Sequence, residues 1–600
     1  MYKEALVHGN VVHHMQTGSE LQMKERRDYL LHIVAVIKLL GKQGISFRGH
    51  DESEDSENKG PFIEFLNVLS KFDPFLKRYI PPDNATYTSP SSQNEIIQCC
   101  SGEATHKIVN ELKASGMYAI RGHHKEQLAI CVRYVLPLSG EIKEHFLGFR
   151  ELEDFNADAI TESLQECLKE HGVDSILCVA QTYDGAAVMS GVSGGVQAKS
   201  RKYHPEGIYV HCYAHELNLV LCHTCKAIKE AKDFFSTMEN LYTFFSTSLI
   251  HHHKFKAVQN TLGLKQGELV QLSDTCWSCQ VRSVNALINN FPAVHQCLSE
   301  IESSTATGLL VKFKKTVSSI LSLYVPVFAY PHRGLPHNPP KETLDLAKAV
   351  DLKDAVCNTL RAMQTPEKVS ELLQKAESLL RDTSTEGEEI VLERRKKQKS
   401  MEDFVVEQSS SREHVSTKDD FRTKLFFPCL DGMISELENR FSSVSEEMMR
   451  GIQACSPLSP NFLSEDLREI AKHYNIDFKS EEALVANNYF ANKKLNSQTL
   501  SMGQVYKLLD PLMFPTVTQI IQMALTVPVS SCSCERSFSA LRRLHNWLRC
   551  TMGQSRLQDL AVLSVERGVL QSVSDDAIVD RFAGMHARRQ ALTVTRQNVK

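Results

Sequence analysis

The spacing of apolar positions changes along the chain from helical to strand-like and back. Over residues 25–40, Leu30, Leu31, Ile33, Val34, Val36, Ile37, Leu39 and Leu40 recur at helical spacings, predicting a buried helix that ends near Gly41. An acidic stretch with almost no apolar residue covers 51–59. Helical spacing returns over 62–72 and, after a Pro/Ser-rich break, over about 94–114. The first hundred residues therefore read as a small helical unit. Residues 117–120 then read as a strand. In 126–135, Leu128, Ile130, Val132 and Tyr134 alternate with Ala129, Cys131, Arg133 and Val135, and a turn at 136–140 leads into 142–152, so a hairpin is expected. Asn156 can cap a helix whose Ile160, Leu164, Cys167 and Leu168 form one stripe, ended by Gly172. The continuous apolar run at 176–180 suits a strand buried on both faces. A helix over about 192–203, a short strand at 208–211 and a helix from Tyr213 complete the pattern.

The order β-β-β-α-β-α-β-α is that of a ribonuclease-H-like core in the α/β class. From about 286 to 500 the spacing is helical, interrupted at 331–340 by Pro, His and Gly and at 381–420 by a polar segment that includes Arg394, Arg395, Lys396 and Lys397. That segment reads as a disordered linker. The expected organisation is an N-terminal helical region (1–108), the first part of the core (109–284), a large all-helical insertion (285–500) and a completing segment (501–600).

A formal net charge of −4 gives no overall field that would announce a nucleic-acid partner, so any such contact must use local patches. Seventeen cysteines scattered along 600 residues with no signal peptide suggest reduced thiols in an intracellular compartment. No stretch approaches the roughly 18–20 uncharged apolar residues of a bilayer span, and no membrane partner is expected.

Asp184 follows the apolar 176–180 strand, where α/β sheets place ligands. Taken alone, Asp184-Gly185 is as readily a turn, and Glu535 near a serine-rich helix start is simply a favourable dipole partner. Cys212, His215, Cys222 and Cys225 have a zinc-like spacing, but ten residues of one helix would part Cys212 from Cys222 by about 15 Å. Gly191-Val192-Ser193-Gly194-Gly195 satisfies a hydrolase pattern, yet its serine trails the strand too far to top an elbow. No Walker-type phosphate loop is present.

The run Tyr183-Asp184-Gly185-Ala186-Ala187, the stretch His211-Cys212-Tyr213-Ala214-His215-Glu216-Leu217, and Ser533-Cys534-Glu535-Arg536-Ser537-Phe538 together resemble motifs of hAT-family DNA transposases and their domesticated relatives, particularly those related to MYM-type zinc-finger proteins. The resemblance extends over nearly the whole chain. It implies two aspartates and a glutamate holding two Mg²⁺ ions, which stabilise the attacking and leaving oxygens of phosphodiester cleavage. Asp184 matches the second acid and Glu535 the glutamate, 535 − 184 = 351 residues later, leaving room for the helical insertion. Cys212 and His215 match a further family motif. Trp277 matches a tryptophan close to the cleavage site, although its flanking arginines are replaced by Cys276 and Cys279. Thiols are uncharged, poor donors, so phosphate contacts weaken.

The first aspartate has no match. Where it is expected, near Arg121, the chain reads Ile120-Arg121-Gly122-His123-His124, about eight residues shorter than the family pattern, and Glu126 matches a position that is not catalytic in the family. Imidazole from His123 or His124 suits Mg²⁺ poorly. The expectation is therefore a catalytically inactive protein with no cofactor. An active Mg²⁺-dependent transposase and a protein-interaction scaffold without nucleic-acid contact are the alternatives. Phe538, Leu541, Leu544 and Leu548, then Leu557, Leu560, Ala561 and Leu563, form apolar faces beside Arg542, Arg543 and Arg549. They fit core helices equally well, but they resemble the hAT C-terminal dimerisation region. A homodimer, possible DNA contact through Trp277, Arg542 and Arg543, and a nuclear location follow from the resemblance. The family's N-terminal zinc finger is not matched, since the first cysteines are Cys99 and Cys100. Sequence-specific binding is then not implied, and whether the chain is a fragment or truncated product stays open at this point.

Overall fold

The computed structural model describes residues 11–53, 55–82, 85–124, 127–272, 277–323, 345–381, 422–441, 444–494, 500–545, 552–586 and 592. Residues 331–340 and 382–420 of the expected interruptions lie outside them. The chain divides into two compact units, Met1–Cys212 with Glu447–Lys600, and Tyr213–Glu446.

The first unit opens with helices α1 (Val11–Gln43), α2 (Pro61–Phe72), α3 (Pro74–Arg78) and α4 (Pro90–Ser115). Strands β1 (Met117–His124), β2 (Leu128–Val135) and β3 (Ile142–Arg150) follow, then α5 (Ala157–Glu170), capped by Asn156, and β4 (Leu177–Tyr183). Two short helices, α6 (Ala187–Ser190) and α7 (Val196–Ser200), precede β5 (Ile208–His211). A single helix over 192–203 was expected. The backbone instead folds back at Gly191 and Gly195, whose approach is so close that a Cβ on Gly195 would lie 2.4 Å from the Gly191 nitrogen.

The second unit contains α8 (Tyr213–Ala227), α9 (Lys229–Ser246), α10 (Leu249–Thr261), α11 (Trp277–Asn289), α12 (Phe291–Glu300), α13 (Ser304–Leu323), α14 (Leu346–Ala362), α15 (Pro366–Arg381) and α16 (Phe427–Arg440). No strand occurs among its described residues. Its core gathers Phe234, Phe255, Phe291, Phe313 and Met433 with the thiols Cys222, Cys225 and Cys429. The first unit resumes with α17 (Glu446–Ala454), α18 (Leu467–His473), α19 (Ser480–Lys494), α20 (Met502–Leu508), α21 (Pro515–Thr526), α22 (Cys532–Leu544), α23 (Gln554–Val565), α24 (Arg567–Ser572) and α25 (Asp575–Met585).

The five strands form one sheet in the order β3-β2-β1-β4-β5. The hairpin strands pair antiparallel, while β1–β4 and β4–β5 are parallel. β1 extends beyond the expected Ile120 to His124, because it is paired to β2 as far as His124↔Leu128. Strand parity then sorts the side chains into two cores. Tyr118, Ile120, Leu128, Ile130, Val132 and Tyr134 join Leu112 of α4 and Ile160 and Leu164 of α5. Ala129 and Cys131 face the other way, into a core that includes α1, α22 and α23. The N-terminal helices are thus no separate unit, since Leu30, Ile33 and Ile37 share this core with Phe538, Leu557 and Leu563. Among the described residues no helix is long and apolar enough to cross a membrane.

Two polar devices fix the C-terminal helices to the sheet. In β3, Ile130 pairs with Gly148 but Cys131 with Phe146, so Leu147 is an extra residue in a bulge. The bulge lets Phe146 and Phe149 enter one core while Leu147 enters the other. Glu566, between α23 and α24, accepts the Phe146 amide at 2.6 Å and contacts His145 Nδ1 at 2.7 Å. The second device is Glu144, also on β3. Its Oε2 meets Arg121 Nη1 at 2.6 Å, and its Oε1 accepts from Arg133 Nη1 at 2.8 Å. Ser533 of α22 accepts from Arg121 Nη1 at 2.7 Å and donates to Glu144 Oε2 at 2.6 Å. Arg133 also donates to the Leu525 carbonyl in the last turn of α21, at 3.0 and 2.8 Å. Burial alone would raise the Glu144 pKa, but Arg121 and Arg133 with the Ser533 hydroxyl hold it well below the usual carboxylate range.

Replacing Glu144 by Gln leaves two buried guanidinium groups without their counter-charge and should cost about 3–5 kcal/mol in urea unfolding at neutral pH. Because the folded-state pKa is depressed, this stabilisation is present above the ordinary carboxylate pKa and is lost as pH falls below about 4. The gap between wild type and E144Q should narrow over that acid range. Asp559 of α23 has the opposite sign: burial pushes its pKa up to about 6, against a hydrogen bond from Ser101. Its charged form therefore costs stability above that pH, and Asp559→Asn should raise stability at pH 7.5 by about 1–3 kcal/mol, with no gain below pH 4.

Candidate functional site

The site lies where β1 and β4 end side by side. Arg121 pairs in parallel register with Thr182, so the next positions bring Gly122 beside Tyr183 and His123 beside Asp184. Tyr183 turns into the core shared with α5. A Cβ on Gly122 would lie 3.0 Å from its ring, so a glycine there gives the tyrosine room to lie across the sheet. Asp184 has the opposite parity and meets His123, with Nδ1 3.0 Å from Oδ2 and both side chains nearly buried. The distance is close, but His123 Nδ1 makes no aligned hydrogen bond. This contact is therefore an ion pair when the imidazole is protonated, rather than a directed bond. The other Asp184 oxygen accepts the Ala186 amide at 3.4 Å, within the turn into α6.

Helix α22 covers this corner. The Phe538 ring lies edge-on to His123 at 5.3 Å and tilted against Phe149 at 5.5 Å. Glu535 is exposed on the first turn of the helix, one turn before Phe538. The exposed positions Glu535, Arg536, Ser539, Arg542 and Arg543 follow helical spacing and form one face, opposite the buried Cys534, Phe538, Leu541 and Leu544. That face carries three arginines and one acid.

Cys212 acts as a bracket. Its amide donates to the Tyr183 carbonyl at 3.3 Å, and its buried sulfur accepts the Ser531 amide at 3.1 Å. One residue thus ties the strand that delivers Asp184 to the segment that starts the Glu535 helix. His215 is half-buried near the start of α8. Cys222 and Cys225 lie within the helical unit's own core, where burial pushes the Cys225 thiol well above its ordinary pKa, with Cys429 and Cys222 as neighbours. Ser193 sits exposed on the turn between α6 and α7, with no strand leading directly into it.

Trp277 begins α11, but its side chain lies outside the described residues, as do residues 273–276, Glu126 and the His124 side chain. Among the described residues, no group of three or more His, Cys, Asp and Glu side chains is placed to hold a metal ion. The described donors do not fit a two-Mg²⁺ centre: Asp184 is engaged on both oxygens, and the residue facing it offers an imidazole where a hard ion needs oxygen.

The sequence leaves the family's first acid without a match near Arg121 but does not announce that His123 stands beside Asp184. The signal was available in the alternation of Tyr118 and Ile120 with Ala119, Arg121 and His123, once 121–124 is read as strand. The Arg121–Glu144–Arg133 cluster and the Cys212 bracket depend on partners far away in sequence and had no such signal.

Residues 6–195 match the family described as ZMYM1/FAM200, RNase-like domain. Residues 487–569 match the hAT family C-terminal dimerisation region. The human protein named 52 kDa repressor of the inhibitor of the protein kinase is 22% identical, over 95% of this chain and 78% of that protein. Its mouse counterpart is 21% identical over the same shares. The resemblance to domesticated relatives of hAT transposases is thereby borne out: the chain matches an RNase-like domain of the ZMYM1/FAM200 type and a hAT C-terminal dimerisation region.

Proposed function

We propose that this protein is a transposase-derived, self-associating protein that no longer cleaves DNA and holds DNA through the arginine face of α22. The observation that carries the reading is His123 beside Asp184. Two-metal phosphodiester chemistry needs oxygen donors converging from separate elements. Here the strand end that would supply one of them presents an imidazole instead. Asp184 and Glu535 are then vestiges of the acid set, with no resident Mg²⁺. In this reading the helical unit from Tyr213 to Glu446 corresponds to the insertion that precedes the last acid of such enzymes.

DNA contact is supported by Arg536, Arg542 and Arg543 along one exposed helix face, with Trp277 as a further contact implied by resemblance. Guanidinium groups at helical spacing suit a phosphate backbone and carry no base specificity of their own. The human and mouse relatives are named as repressors, an activity that needs no cleavage. A nuclear location fits the same reading.

Purified protein should show no Mg²⁺- or Mn²⁺-dependent nicking of supercoiled or end-labelled DNA, and cleavage abolished by Asp184→Ala would overturn the reading. His123→Asp supplies a second carboxylate about 3 Å from Asp184, which like-charge repulsion should make less stable in metal-free buffer. Millimolar Mg²⁺ should then raise the Tm of the variant and leave that of wild type unchanged. For DNA, binding should weaken with salt, and replacing Arg536, Arg542 and Arg543 together by Ala should reduce the slope of log K against log salt by roughly 2–3, independent of sequence. An unchanged slope would remove α22 from the interface.

A further inference from the structure

The matched dimerisation region divides into two parts with different structural fates. From α21 onward its apolar residues are used inside the same chain. Val517, Ile520, Ile521 and Leu525 of α21 are buried, and Phe538, Leu541, Leu544, Leu557, Leu560 and Leu563 belong to the core shared with α1 and α4. These C-terminal faces resemble a dimerisation region, yet they leave little apolar surface for a partner. What remains exposed lies just before them. On α19, the face with Glu481, Leu484, Val485, Asn488 and Tyr489 is exposed, while Ala483, Ala486 and Phe490 are buried. Leu508 ends α20 with its side chain exposed, and in the turn that follows Leu512 and Met513 are 92% and 67% exposed.

The segments that carry these groups are fixed to one another. Glu482 of α19 accepts the Val517 amide at 2.8 Å and the Thr516 hydroxyl at 2.6 Å, joining α19 to the start of α21. Tyr489 packs on Phe514 with ring centroids 6.3 Å apart, beside Met513. The turn itself is tied: Asp510 accepts the Leu512 amide at 2.9 Å on its carboxylate and the Phe514 amide at 2.8 Å on its carbonyl. Leu512 and Met513 are thus presented outward by a hydrogen-bonded turn, so little ordering entropy remains to be lost on association.

We infer that Leu484, Val485, Tyr489, Leu508, Leu512 and Met513 form the surface through which a second copy of this chain docks. The inference rests on the self-association proposed above and says where it occurs. Three observations favour a second copy as the occupant. The surface falls within or beside residues 487–569, the stretch matched as a dimerisation region. The charged residues around it, Lys479, Glu481, Lys507 and Asp510, are exposed and balance in sign, so a two-fold contact can set each charge against its opposite. Six exposed apolar side chains amount to a patch on the order of 300–600 Å², enough for the apolar centre of a standard interface of about 800 Å² per partner.

The test is sedimentation velocity on the full chain from nanomolar to micromolar concentration, comparing wild type, Leu484→Asp with Leu512→Asp, and Leu249→Asp. Leu249 is equally apolar and 85% exposed but lies on α10 in the helical unit. The expected result is a concentration-dependent dimer for wild type and L249D, and a dissociation constant raised about tenfold or more in the double variant, whose circular dichroism stays native. A wild-type monomer at micromolar concentration would overturn both this surface and the self-association reading. A wild-type dimer that survives the double substitution, or is weakened as much by L249D, would overturn the surface alone. Should the double variant lose native circular dichroism, amide hydrogen exchange of the wild type decides. Slower exchange over 484–489 and 508–513 at high than at low protein concentration supports the surface, and exchange independent of concentration in a sample that dimerises overturns it.

Discussion

The first unit depends on one partly buried carboxylate. Glu144 lies directly across from Arg133 in the β2–β3 ladder and gives it Oε1, and Arg121 reaches the other oxygen, Oε2, from β1 on the same face of the sheet. Two guanidinium groups against one carboxylate leave a surplus of donors, and buried donors are costly to leave unmade. The surplus is spent on two helices. Arg133 takes a carbonyl at the end of α21, where the helix dipole favours a cation, and Arg121 takes the Ser533 hydroxyl at the beginning of α22. The position of α22 is therefore set by electrostatics as well as by the apolar contacts of Phe538 and Leu541. Every residue that α22 carries, including Glu535 and the arginine face, inherits its place from that cluster.

Strand parity explains the rest of the corner. A side chain at an odd-numbered position of β1 faces α22, and His123 is such a position two residues beyond Arg121. Asp184 reaches the same face because Tyr183 before it is committed to the opposite core. Cys212 closes the arrangement, its amide on the Tyr183 carbonyl and its sulfur accepting the Ser531 amide, so the ends of β4 and β5 and the start of α22 are held by contacts that do not involve the acids themselves. A scaffold of this kind can lose a catalytic carboxylate and still fold. The groups that hold its shape, Glu144, Arg121, Arg133 and Cys212, are distinct from Asp184 and Glu535.

Much of this architecture could be read from local pattern. The alternation in β2, the Asn156 cap, the stop at Gly172 and the apolar run of β4 each follow from short-range physics, and the structure has them at or within a few residues of the expected places. Misreadings occurred where a distant partner decides. Residues 121–124 carry too many polar groups to announce a strand, and only pairing to β2 and β4, with Glu144 as counter-charge, makes that strand tolerable. The β3 bulge depends on Glu566, more than 400 residues away, to satisfy the amide it frees. The N-terminal helices look self-sufficient in sequence because their stripes are apolar, yet the stripe does not say that its complement is the C-terminal α22, α23 and α25.

The C-terminal segment illustrates why an apolar helical face cannot by itself be assigned to a partner. Hydrophobic spacing in α22 and α23 is the same whether the face is covered by another chain or by α1 and α4 of its own, since the driving force depends only on area removed from water. Coverage is what separates the cases. Inside one chain the complement is fixed and always present, so these faces are part of folding and their loss unfolds the unit. The apolar side chains on the exposed face of α19 and the Leu512–Met513 turn are left in solvent and make no such contribution. In the proposed reading, fold completion and assembly fall to neighbouring stretches of one region, the first beginning where α21 enters the core and the second ending just before it.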